Sequence, residues 1–110
     1  MAKYEAKINQ ALKIRATFKN RYTKQIIDIT GGSVSFGYFK PSNQTTEYSG
    51  TWSGAVEDGE SGIGYYDIPN NVLDELSVLG SPELNWRIDA IVTIDGNTYT
   101  ADAIEIFVKG

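Results

Sequence analysis

The stretch from Leu84 to Tyr99 constrains the fold more than any other part of the chain. Leu84, Trp86, Ile88, Ala90, Val92 and Ile94 share one parity, with Asn85, Arg87, Asp89 and Thr93 on the other. Alternation sustained this long is the signature of a strand with one buried face. Asp95-Gly96 follows, a dipeptide suited to the positive φ angles of a two-residue hairpin turn. Such a turn sets a register: Ile94 opposite Asn97, Val92 opposite Tyr99, Ala90 opposite Ala101. After Asp102-Ala103 the apolar parity passes to Ile104, Ile106 and Val108. A one-residue slip would expose all three, so a bulge is expected near Asp102.

The same period recurs upstream. Leu12, Ile14, Ala16 and Phe18 alternate with Lys13, Arg15, Thr17 and Lys19. Ile26, Ile27 and Ile29 form a short run that ends at Gly31-Gly32, and Val34, Phe36 and Tyr38 resume the alternation. From Thr45 to Val56, Tyr48, Gly50, Trp52, Gly54 and Val56 lie on one parity; so many glycines point to a bulge or a bent strand. Gly64, Tyr66 and Ile68 make a short strand closed by Pro69. Asn70 or Asn71 can then cap a short helix, with Val72, Leu73 and Leu76 at helical spacing before Gly80. About seven short strands at this spacing predict an all-β, antiparallel β-sandwich with one short helix plugging an open end. Trp86, Phe36, Val92 and Tyr99 are its expected core anchors, Trp86 bridging the sheets. Residues 12–110 form the sandwich. Residues 1–11 read as an N-terminal arm, extended or a short helix, because Tyr4, Ile8 and Leu12 recur every fourth position.

Composition removes most catalytic chemistry. The 110 residues include no cysteine and no histidine. Disulfide frameworks, thiolate zinc sites, iron–sulfur clusters, cysteine nucleophiles and Ser-His-Asp triads are therefore excluded. No two carboxylates are marked as an opposed pair across a cleft. Glu57-Asp58-Gly59-Glu60 lacks the alternate-residue spacing of a calcium loop and reads as a solvated turn. The expectation is a non-enzyme with no metal and no cofactor. The charged N-terminus is unlike a secretory signal, and no stretch approaches the ~20 apolar residues of a membrane span. A soluble protein made in a cytoplasm, with no membrane partner, is expected.

Charge is divided along the chain. Residues 1–24 carry seven Lys and Arg against Glu5 alone, a net +6, and the remainder carries three against thirteen acids, a net −10. The basic strand can lie against its own acidic sheet or against an acidic face of a neighbour; for assembly, the expectation is that the basic N-terminal arm and first strand dock on that neighbour. Nucleic acid is the least favoured partner, since an acidic body is repelled by phosphates. Tyr48, Trp52, Tyr65 and Tyr66 cluster in the middle third, where they can be core, protein interface or a platform that stacks a sugar. The interface candidates are Lys3, Tyr4, Lys7, Ile8, Arg15, Arg21, Tyr48, Trp52 and Tyr65.

Several segments together resemble a known family. They are Ile27-Asp28-Ile29-Thr30-Gly31 leading into Ser33-Val34-Ser35-Phe36-Gly37-Tyr38-Phe39-Lys40-Pro41, then Gly62-Ile63-Gly64-Tyr65-Tyr66-Asp67-Ile68-Pro69 with Leu73, and the hairpin from Leu84 to Tyr99. Leu12 to Val108 resembles the small immunoglobulin-like domains of tailed-bacteriophage virions, similar to the N-terminal domain of baseplate upper proteins. The resemblance implies an immunoglobulin-like sandwich acting as scaffold in the neck, connector, tail or baseplate. It implies a protein made in the host cytoplasm, carried on the virion in several copies, with other virion proteins as partners and no active site. The alternatives are a carbohydrate-binding or host-surface adhesion module, with a glycan as partner, and a head decoration protein.

Overall fold

The computed structural model describes residues 2–7, 10–39, 48–70, 72 and 83–109. Nine strands appear among them: β1 (Ala2–Lys7), β2 (Leu12–Thr17), β3 (Ser33–Phe39), β4 (Gly50–Ser53), β5 (Ala55–Asp58), β6 (Ile63–Ile68), β7 (Glu83–Ile94), β8 (Asn97–Thr100) and β9 (Ile104–Lys109). They build two sheets. The large one runs β1-β9-β7-β3-β4, with β8 also paired to β7, and the small one runs β2-β6-β5.

The long alternating segment is β7, and it organises the large sheet. Trp86, Ile88, Ala90 and Val92 are buried, as are Val34 and Phe36 on β3 and Ile104, Ile106 and Val108 on β9. Ile14 and Ala16 of β2 and Ile68 of β6 close the same core from the small sheet. Asp95 and Gly96 both take positive φ, 50° and 78°, and the register is Ile94 to Asn97 and Val92 to Tyr99. Ala101 N donates to Ala90 O at 3.0 Å, continuing that register. Thr100 pairs with Ile91 but Ile104 with Ile88, so one extra residue sits between β8 and β9. This is the bulge beside Asp102, and it restores the apolar parity of β9 to the core.

Aromatic rings tie the two layers together. Trp52 of β4 stacks on Tyr66 of β6 at 5.2 Å with 9° between the planes, and on Tyr38 at 4.3 Å. Its ring centroid also lies 6.4 Å from that of Trp86, which is 1% exposed. Between β4 and β5 the chain passes from the large sheet to the small one at Gly54. A Cβ there would lie 2.6 Å from the Phe36 ring and 2.7 Å from the Tyr65 carbonyl, so only glycine fits the crossing.

The expected immunoglobulin-like, wholly antiparallel sandwich of about seven strands with a helix is corrected on three points. The described strands number nine: residues 2–7 add one, the bulge and Gly54 divide two longer runs, and the run over residues 26–29 makes only an isolated bridge, from Ile26 to Lys19. The large sheet is mixed, since β1 runs parallel to β9 from Ala2 beside Ile104 to Lys7 beside Lys109. No helix occurs among the described residues. Of the segment read as helical, Asn70 and Val72 are described, and Val72 N bonds the Pro69 carbonyl in a turn. Asn71 and residues 73–80 lie outside the described residues, as does the start of the glycine-rich stretch at Thr45–Glu47.

Trp86 touches the aromatic stack from β7, where it lies opposite Ile106 of β9, so its loss leaves a cavity in the core that the paired strands cannot collapse to fill. Trp86→Ala is expected to cost about 3–5 kcal/mol, measured as a lowered urea midpoint with an unchanged slope.

Candidate interaction surface

Period-two geometry turns Lys13, Arg15 and Thr17 of β2 away from the core, onto the outer face of the small sheet. Lys13 lies opposite Asp67, and Arg15 opposite Tyr65. Arg15 Nε bonds Glu57 of β5 at 2.7 Å, and Lys13 Nζ reaches the same carboxylate at 3.6 Å. The Lys13 ammonium also sits 4.4 Å from the Tyr65 ring centroid. The Glu57 carboxyl is held below the usual carboxylate range, first by the Arg15 hydrogen bond, with the charges of Arg15 and Lys13 adding to it against an opposing effect of burial. The Arg15 guanidinium is correspondingly raised. Much of the basic strand's charge is therefore matched within its own sheet.

The N-terminal segment is held in the same molecule. Tyr4 Oη accepts a hydrogen bond from Arg15 N at 3.0 Å and lies 3.4 Å from the Arg15 carbonyl as donor, stitching β1 to β2. Lys3 and Lys7 are exposed on the outer side of β1. Ile8 lies outside the described residues.

The loop after β2 is different. Lys19 and Ile26 form an isolated bridge, Asn20 N donates to Gln25 O at 2.7 Å, and Lys24 closes the tip with φ 64°. Asn20 Oδ1 accepts from Tyr22 N and Thr23 N at 2.9 and 3.1 Å. These local bonds fix a compact finger, because an Asn side chain satisfies backbone donors that no ladder reaches. Lys19, Arg21 and Lys24 are exposed on it and have no acidic partner among the described residues. Tyr22 is 89% exposed and Ile26 50%.

Between this finger and β8 runs a groove. One section of about 260 Å³ is lined by Thr17, Lys19, Arg21 and Lys24 on one wall and by Thr100 and Asp102 on the other. A neighbouring section of about 310 Å³ carries it past Tyr22 to Thr98. Among the described residues, three cations thus face a single lining carboxylate, Asp102.

The other expected positions are dispersed. Trp52 is in the core, so its face is not available to stack a sugar. Tyr65 is half-buried under Lys13. Tyr48, 40% exposed, lies on the far face of the large sheet against Phe39 at 4.8 Å and bonds Asp89 at 3.0 Å. Burial and that bond raise its hydroxyl pKa. Trp86, Phe36 and Val92 are buried and Tyr99 packs half-buried against them. Asp58 in the acidic turn accepts from Ser61 N at 3.3 Å, a turn-stabilising role. Of the groove residues, Arg21 is named from sequence as an interface candidate and Tyr99 as a core anchor; Lys19 and Lys24 enter there only through the alternation and the charge count, and Tyr22 does not enter. The signal available in the sequence is the end of the β2 alternation after Lys19.

The chain matches no protein-family model and no curated protein.

Glu57 has a depressed folded-state pKa, so its pairing favours the fold above the ordinary carboxylate range and is lost as pH falls through the folded value. An NMR titration is expected to place the Glu57 midpoint below that of a free glutamate. In Arg15→Ala the midpoint is expected to return toward the ordinary value.

Proposed function

We propose that this chain is a non-enzymatic structural component of a tailed-phage particle, present in several copies and joined to other virion proteins through the groove between the basic finger and β8. The single observation that carries the docking role is the set of cations Lys19, Arg21 and Lys24, without an ion pair among the described residues, beside a strand with one paired edge among them. Charge-matched surfaces steer association and fix register more than they add raw affinity. The outer face of β2 serves this role less well, because Glu57 already occupies its cations. The phage setting rests on the resemblance of the segments from Ile27 to Tyr99. Synthesis in the host cytoplasm and incorporation during particle assembly follow from that setting.

The test is incorporation. Gradient-purified particles from the host carrying the gene are expected to contain the chain in several copies, counted by mass spectrometry. A tagged Arg21→Glu/Lys24→Glu variant is expected to fold with an unchanged urea midpoint and to enter particles about tenfold less. A wild-type chain found only in the soluble fraction would overturn the reading.

A further inference from the structure

We infer that the groove takes an extended acidic segment of a partner protein, which adds as a strand to the free edge of β8 with its carboxylates facing Lys19, Arg21 and Lys24. The inference rests on the docking role proposed above and names the chemistry of the partner.

The edge follows from the hairpin register. Asn97, Tyr99 and Ala101 direct their backbone bonds to β7, as the Ala101–Ala90 bond shows. In an antiparallel ladder the intervening residues turn their N–H and C=O groups the opposite way. For Thr98 and Thr100 that is the groove side, and neither has a backbone partner there among the described residues. On the same line β1 occupies the edge of β9 and begins, as described, at Ala2 opposite Ile104. The bulge separates the two halves of this edge, so β9 is covered and β8 is open. An unpaired edge is a template for an added strand, with main-chain bonds giving affinity and alternate side chains giving selectivity.

Charge selects the occupant. A segment lying along β8 would run beneath the finger, within reach of Lys19, Arg21 and Lys24, and among the described lining residues would meet only Asp102 as a like charge. Acidic residues at alternate positions match that wall, and the exposed Tyr22 offers an apolar contact at the rim. A basic segment would be repelled by the same three side chains.

The probe is a fluorescent peptide of about eight residues alternating glutamate and valine, long enough to span β8 at ~3.3 Å per residue. It is expected to bind the full chain, to slow hydrogen exchange at the Thr98 and Thr100 amides, and to weaken as salt rises, since exposed charges are screened within ~10 Å at 0.1 M. Thr100→Pro removes an N–H that the fold itself does not use, so folding is expected to persist. Binding should nevertheless fall about tenfold or more, as it should in Arg21→Glu/Lys24→Glu. A lysine–valine peptide of the same length should not bind. The inference is overturned if the peptide fails to bind, or binds Thr100→Pro as tightly as wild type. It is also overturned if sedimentation shows a dimer of this chain in which, without peptide, the Thr98 and Thr100 amides are already protected from hydrogen exchange. In each of these cases, particles that still require Arg21 and Lys24 would leave the docking role standing; particles lacking the chain would remove that role itself.

Discussion

The architecture depends on the pairing of β7 on both of its edges. Its inward side chains, Trp86 to Val92, can be buried only if β3 along one edge, and β9 followed by β8 along the other, hold it in register. Burial of these residues is worth roughly 25 cal/mol per Å² of apolar surface, and it accrues only in one register. The bulge beside Asp102 and the turn at Asp95-Gly96 are the local devices that keep β8 and β9 in that register. The small sheet then closes the core through the Trp52–Tyr66 stack, which requires the chain to change layers at Gly54.

Electrostatics in this molecule is local rather than divided between two ends. The first twenty-four residues carry the excess positive charge, yet β2 folds against β6 and β5, where Glu57 meets both Lys13 and Arg15. Lys19, Arg21 and Lys24 are left over on the finger after β2, where the strand ends and Asp102 is the one carboxylate lining the opposite wall among the described residues. A strand neutralises its charges across a ladder, whereas a turn held by its own Asn20 side chain projects them. That distinction places the interaction surface at the loop end of the fold.

Features set by short-range chemistry were legible in the sequence. The hairpin register, the bulge and the inward parities of β2, β3, β7 and β9 follow from turn residues and alternation within a few positions. The layer change was legible only as an excess of glycine between Tyr48 and Val56, since crowding by Phe36 and Tyr65 comes from elsewhere in the chain. β1 was not legible as a strand. Tyr4, Ile8 and Leu12 fall at helical spacing, and the parallel partner that makes residues 2–7 extended is the last strand. For the site, the positive charges could be counted, but which of them Glu57 would take depended on the pairing of β2 with β6.

The parallel seam between β1 and β9 has a mechanical consequence. Because the two strands point the same way, Ala2 and Lys109 lie at opposite ends of the seam. A pull applied at those two residues would load the row of backbone hydrogen bonds together in shear, rather than peeling them open singly. Resistance to such a load is governed by the rate of unfolding rather than by equilibrium stability. Tension would therefore meet the seam as a clamp, with Tyr4 anchoring it sideways to β2.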